Sequence, residues 1–155
     1  MARLLLLFLF LLNILLAKEC NQVVFEEQEK GLALEMALYD KSIHIAREMY
    51  KNNKLTIRKT HYKSDMEFLE NRLHNLNQSK KYLSEAMQTN FINTEKWRFL
   101  ASVCSKEYSE KIEKELIYAK NAKEGMEKVA EHIKKMIDTT ESVINIGKKK
   151  YSNQN

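Results

Sequence analysis

The 155-residue sequence predicts an all-α fold, an antiparallel up-down bundle of three long helices. The chain has no proline and only three glycines, so tight turns are scarce and nothing stops a helix abruptly. Apolar residues also recur at the alternating three- and four-residue spacing of a helical seam. A β-sandwich or an α/β fold would need many more turn residues, which excludes both classes.

The first seventeen residues predict a secretory signal peptide. Arg3 supplies a positive charge, the run from Leu4 to Leu16 is interrupted only at Asn13, and the small residue Ala17 ends it. We therefore expect a secreted, extracellular protein whose mature chain begins after Ala17.

Two membrane-attached alternatives are disfavoured. The stretch Leu4–Ala17 is shorter than the roughly 20 apolar residues of a spanning helix, so no stable membrane span is expected. A lipoprotein would carry its cysteine directly after the small residue, whereas Lys18 and Glu19 precede Cys20.

Residues 18–150 are predicted to form a single helical bundle domain, followed by a frayed tail at 151–155. Without Arg3 the chain has 25 basic and 21 acidic residues, a net charge of +4. The two signs are interspersed, as on a solvated surface, and no nucleic-acid-binding motif is present. A nucleic-acid partner is therefore not expected.

The first helix is predicted over about Asn21–Tyr50. Its seam has one polar position, Glu29, and comprises Phe25, Leu32, Met36, Tyr39, Ile43, Ala46 and Tyr50. A second apolar stripe runs beside the seam through Leu34, Leu38, Ile45 and Met49. Two stripes indicate a helix that touches at least two neighbours.

The second helix is predicted over about Leu55–Met87, after a turn at 51–54. Its seam has Lys80 in a polar position and comprises Tyr62, Met66, Leu69, Leu73, Leu76, Leu83 and Met87. The segment Thr89–Asn93 breaks this pattern, and Asn93 or Thr94 could cap the next helix.

The third predicted helical stretch begins near Trp97, Ala101, Cys104 and Tyr108. The spacing slips by one residue and then continues through Ile112, Leu116, Ala119, Met126, Ala130, Ile133, Ile137 and Ile144. Gly147 is predicted to stop the helix. A continuous third helix would overhang its partners, whereas a fold-back at Asn121–Gly125 would give a fourth helix; the sequence leaves both open.

The two cysteines, Cys20 and Cys104, are predicted to form a disulfide bond, because thiols in an oxidising compartment usually pair. An intermolecular bridge and two free thiols are the alternatives. The up-down topology brings both residues to the same end of the bundle, with Cys104 two to three turns into the third helix.

Two surface features are candidates for modification or weak binding. Asn77-Gln78-Ser79 is an acceptor motif for N-linked glycan, so the chain is a candidate glycoprotein modified at Asn77. Lys148, Lys149 and Lys150 form the longest basic run and are a weak candidate patch for anionic glycans.

No catalytic, metal or cofactor site is predicted. None of the four histidines pairs at metal-ligand spacing, and no serine elbow or glycine-rich phosphate loop is present. Asp65, Glu67 and Glu70 are read as part of a solvated helix face. An enzyme is not expected.

These features predict a non-enzymatic protein that acts by protein–protein binding in an extracellular fluid, as a secretion component or a cytokine-like ligand. The partner is another protein or a second copy of the chain. The alternative is an extracellular carrier that holds a lipid or other apolar small molecule in the bundle core, where methionines adapt to irregular contents.

Overall fold

The computed structural model describes Cys20 and residues 22–151, which form three long helices. These are α1 (Gln22–Lys51), α2 (Tyr62–Val103) and α3 (Ser109–Tyr151). Short 3-10 turns at Lys59–His61 and Lys106–Tyr108 precede α2 and α3, and the described residues contain no β-strand. The predicted all-α class is confirmed. The proposed signal peptide and residues 152–155 lie outside the described part of the chain.

The predicted break at Thr89–Asn93 is wrong, because α2 continues through it to Val103. Heptad spacing from Leu83 passes through Asn90 and reaches Trp97, and all three residues are buried. The sequence predicted a break because Asn90 and Asn93 interrupt the apolar pattern of the helix. The real boundary coincides with the slip in spacing after Tyr108, at the start of α3.

The third helix is continuous. It spans 43 residues and passes through Asn121–Gly125 without interruption, so the fold-back alternative is not realised. Its predicted seam is confirmed at Ile112, Ala119, Met126, Ile133, Ile137 and Ile144, which are all buried.

The chain divides into two compact units, and each long helix contributes one segment to each unit. Of the described residues, unit 1 comprises Cys20, 22–35 and 87–124, and unit 2 comprises 36–86 and 125–151. Each unit is described by itself below.

The core of unit 1 is centred on Phe25, which lies in α1. Its ring stacks on Trp97 at 5.8 Å and on Tyr108 at 5.1 Å between ring centroids. Leu100 and Ile112 complete the buried cluster. Residues early in α1 therefore contact residues late in α2, so these two segments run antiparallel.

The core of unit 2 contains Met66 and Leu69 of α2 and Ile144 of α3. Leu55 and Ile57, from the extended loop that precedes α2, pack against this cluster. The predicted start of the second helix at Leu55 is therefore wrong. Leu55 and Ile57 are apolar because the loop covers the core, and not because they are helical.

The inward face of α1 differs from the predicted seam by one residue at alternate positions. Phe25 is buried as expected, but Met36 and Tyr50 are 48% and 70% exposed. The buried positions one residue earlier include Gln28, Glu35 and Ser42. In α2 the same shift buries Ser79 and leaves Lys80 exposed. Leu34, from the predicted second stripe, is exposed as well.

Gly147 is not a helix stop, since α3 continues to Tyr151. A side chain at this position would collide with the end of Ile57 and would lie 3.3 Å from the sulfur of Met66. Glycine therefore lets the loop before α2 approach α3 closely. Tyr151, expected in a frayed tail, is helical, and its ring lies 5.8 Å from that of Tyr62.

Candidate functional site

Cys20 and Cys104 form a disulfide bond in unit 1, with their Cα atoms 5.5 Å apart. The predicted bond is confirmed, but Cys104 directly follows α2 and does not lie inside the next helix. The sulfur of Cys104 packs beside the Phe25 cluster. The bond thus fastens the start of α1 to the end of α2.

Unit 1 also contains the buried carboxyl group of Glu35. Asn90 Nδ2 donates a 2.9 Å hydrogen bond to one oxygen of Glu35, and Asn93 Nδ2 donates at 3.3 Å to the other. The Asn90 amide also donates to the carbonyl of Ala119, at 3.2 Å. Burial raises the pKa of Glu35 above 4.5, and the amide hydrogen bonds oppose this rise.

Polar partners also meet inside unit 2. Ser42 Oγ donates to the carbonyl oxygen of Ser79 at 2.9 Å, and Ser79 Oγ donates to that of Ser42 at 2.8 Å. Arg72 donates to Thr140 Oγ1 at 3.2 Å and to the carbonyl of Met49. These matched groups fix helix register, as polar positions in coiled coils do. These contacts do not place a serine or threonine hydroxyl next to a general base.

The acidic cluster predicted as solvated splits in the structure. Asp65 is buried and accepts hydrogen bonds from the Arg58 backbone and guanidinium at 3.0–3.1 Å. The guanidinium holds the pKa of Asp65 well below its ordinary 3.8. Glu67 and Glu70 are exposed, as expected. Asp65 therefore anchors the loop and does not form a carboxylate pair for catalysis.

The four histidines, His44, His61, His74 and His132, are exposed. Among residues 20 and 22–151 no group of three or more histidine, cysteine, aspartate or glutamate side chains is placed to hold a metal ion.

The predicted surface candidates lie on exposed parts of unit 2. Asn77 is exposed on α2, while Ser79 of the same motif is buried against Ser42. Lys148, Lys149 and Lys150 are exposed in the last turns of α3. Lys148 Nζ lies 3.5 Å from Glu70, so part of this basic run is already paired.

Unit 1 exposes a set of apolar side chains that the sequence analysis did not identify. Phe91, Ile92 and Phe99 are 65%, 46% and 50% exposed. At 100° per residue all three project within a 100° sector of α2, on the side opposite Leu100 and the core. We call this set the α2 outer face. The α2 outer face was not predicted because a helix break was expected at Thr89–Asn93. The heptad spacing from Leu83 to Trp97 is the signal that would have predicted a continuous helix here.

Unit 2 has a groove of about 560 Å³ between α1 and α3. Its floor is formed by Ile43, Ala46, Val129, Ile133 and Met136. Its remaining lining residues are basic or aromatic, namely Arg47, Tyr50, Lys51, His132 and Lys135. The apolar spacing predicts Ile43 and Tyr50 in the core and an apolar ligand in the core with them, so the groove was not predicted.

No helix in the described residues is long and apolar enough to cross a membrane. Comparison with protein-family models, curated proteins and solved structures finds no match to this chain. The surfaces described above are therefore the basis for assigning a function.

Proposed function

We propose that this chain is a secreted, non-enzymatic helical protein that acts by binding another protein through the α2 outer face. The single observation that carries the proposal is the exposure of two phenylalanines and an isoleucine within nine residues of α2. Aromatic residues are enriched at protein interfaces, where they dominate the binding energy.

The arrangement of the α2 outer face supports this function. Glu95 lies in the same sector, and Arg98 Nη1 is 2.5 Å from its carboxylate. Arginine, like the aromatic residues, is enriched at protein interfaces. Scattered single apolar residues are normal on a surface, but a cluster of three on one side of one helix is less so.

Export is the second part of the proposal. The disulfide supports it, because such bonds persist mainly in oxidising compartments. Expression in a eukaryotic secretory host should release a chain that begins at Lys18 and has no thiol open to alkylation. Intact-mass measurement would show both properties. Retention of Met1 together with two alkylated cysteines would contradict export.

Protein binding can be tested with a photo-crosslinking amino acid at position 91. The matched control carries the same group at Phe68, an exposed phenylalanine of unit 2. We expect position 91, and not position 68, to give a product of defined mass, either with a second copy or with one protein of the native fluid. Excess wild-type chain should compete, whereas a Phe91→Ser/Phe99→Ser double variant should not.

Sedimentation velocity distinguishes the two kinds of partner. A second copy predicts association that depends on concentration and is lost in the double variant but kept in Phe68→Ser. A different protein predicts a monomer that still gives the product at position 91. Identical crosslinked products at positions 91 and 68, from a monomeric chain, would overturn the proposal.

The second candidate function is carriage of an apolar small molecule. The α1/α3 groove of unit 2 favours it, since ligand sites are concave, mostly apolar and about 300–1,000 Å³ in volume. The groove and the α2 outer face belong to different units and share no residue, so the two functions can be tested separately.

A further inference from the structure

The α1/α3 groove combines apolar and basic side chains along its length. Tyr39 of α1 is the side chain nearest to Gly125 of α3, and Ile43 and Val129 line the groove further along, so the two segments run in the same direction. The basic lining residues Arg47, Lys51, His132 and Lys135 alternate with apolar ones, so that Ala46 precedes Arg47 and Met136 follows Lys135. A ligand lying in the groove would therefore contact hydrocarbon and positive charge along the same stretch.

The positive charge in the groove is partly uncompensated. Lys51 pairs with Glu48 at 2.8 Å, and Lys135 pairs with Glu131 at 3.1 Å. Arg47 forms no ion pair or hydrogen bond through its side chain with any residue that the structure describes. No acidic residue lines the groove. Arg47 is therefore the group available to an anion.

The end of α1 would ordinarily repel an anion, since the last carbonyls of a helix carry partial negative charge. Arg72 changes this, because its guanidinium donates to the carbonyls of both Met49 and Asn52. The carbonyl charge at the end of α1 is thus offset from within unit 2, which favours binding of an anion nearby.

The size of the groove fits a small molecule, since ten residues line it. Its volume of about 560 Å³ lies within the range of small-molecule sites. The occupant that these observations favour is therefore a small amphiphile.

The length of the groove limits the size of the occupant. From Ile43 to Lys51 the helix rises about 12 Å, at 1.5 Å per residue. A saturated chain advances about 1.25 Å per carbon, given bonds of about 1.5 Å at a near-tetrahedral angle. The lining residues thus span about ten carbons of an extended chain, which is an upper limit for the occupant because Arg47 lies midway between Ile43 and Lys51.

We infer that the groove binds a medium-chain fatty acid, with its hydrocarbon chain on the apolar floor and its carboxylate against Arg47. This inference rests on the carrier function and gives that function a ligand class. It does not depend on the α2 outer face.

Calorimetric titration of the full mature chain tests it, with decanoate below its micelle concentration as the probe. Decyltrimethylammonium, which has the same chain and the opposite charge, is the comparison ligand. We expect saturable binding of decanoate and weaker binding of the cation. Backbone amide NMR shifts should be confined to residues 43–51 and 129–136.

Two variants locate the carboxylate and the hydrocarbon chain. Arg47→Gln should weaken decanoate binding by about threefold to tenfold, the range from an exposed ion pair to a charge-assisted hydrogen bond. Lys96→Gln, which removes one positive charge at an exposed position of α2 in unit 1, should leave binding unchanged. Ala46→Phe should fill the floor and weaken binding of both probes. Circular dichroism would verify that each variant keeps its helical content.

The outcomes separate the two claims. Equal binding of decanoate and decyltrimethylammonium, with Arg47→Gln without effect, would overturn the fatty-acid inference and leave the carrier function standing. If neither probe saturates, or if Ala46→Phe binds both as wild type does, the fatty-acid inference and the groove as a carrier site both fail.

Discussion

Asn90 donates a 2.9 Å hydrogen bond to the buried carboxyl group of Glu35. The two residues are 55 positions apart in sequence, and both occupy positions where an apolar side chain would be expected in a helical core. Asn93 satisfies the second carboxyl oxygen. This contact explains why α2 does not break at its asparagines, because their amides are engaged by a partner and do not compete for the helix backbone.

Glu35 should make stability depend on pH in a specific direction. Its folded-state pKa is raised above 4.5, so the folded state holds the proton more tightly than the unfolded state. The contribution of Glu35 to the free energy of unfolding should be largest below pH 4.5. It should fall as pH rises through the folded-state pKa of Glu35. Urea unfolding of wild type and Glu35→Gln across this range measures the effect. Any stability advantage of wild type over the variant should become smaller, or reverse, as pH rises through the folded-state pKa of Glu35. Glu141→Gln, an exposed variant of α3, should follow wild type.

Asp65 should show the opposite dependence. Arg58 lowers its folded-state pKa well below 3.8, so its stabilising contribution is complete above pH 3.8 and is lost as pH falls toward the folded-state pKa. Asp65→Asn should therefore lower the urea midpoint at neutral pH and have little effect in strong acid. Hydrogen exchange should also accelerate in the loop at 53–58. A decrease in the urea midpoint that is the same at every pH would contradict this role of Asp65. Glu67→Gln, at an exposed position two residues away, is the control.

The disulfide should carry a large share of the stability. Removal of a native disulfide from a small secreted domain typically lowers the free energy of unfolding by about 2–5 kcal/mol. A bond that spans 84 residues falls toward the upper part of this range in the chain-entropy view. Guanidinium unfolding of the oxidised chain and of Cys20→Ser/Cys104→Ser measures the loss. Reduction of wild type should give the same midpoint as the double variant.

Two helical glycines should respond to alanine in opposite ways. At Gly125 the nearest atom to an added Cβ is the hydroxyl of Tyr39 at 4.0 Å, so Gly125→Ala should stabilise by about 0.5–1 kcal/mol. At Gly31 the Cβ would lie 2.5 Å from Oδ1 of Asn93. The Asn93 side chain cannot move away freely, because its Nδ2 donates to Glu35. Overpacking costs about 1–3 kcal/mol, so Gly31→Ala should destabilise despite the same helix preference. Equal thermal shifts would disprove the close approach.

Much of the fold could be predicted because it depends on local periodicity. The spacing from Ile112 to Ile144 predicts the inward face of α3, and the two cysteines predict their bond. The candidate surfaces were less accessible to such reasoning. Phe91 and Phe99 lie on a part of α2 where Asn90 and Asn93 interrupt the apolar pattern, so the sequence predicted a break there. The groove depends on the orientation of the Tyr50 and Arg47 side chains, which sequence spacing does not give.

By itself the sequence determined that this protein is helical and that its helices are long, and it favoured a bond between Cys20 and Cys104. Only the tertiary structure decided which of two adjacent positions on α1 faces inward, such as Glu35 and not Met36. Adjacent positions differ by 100° around a helix, and an apolar pattern favours the methionine. A buried carboxyl group becomes acceptable only when Asn90 and Asn93 meet it, and packing between helices alone brings those amides to it.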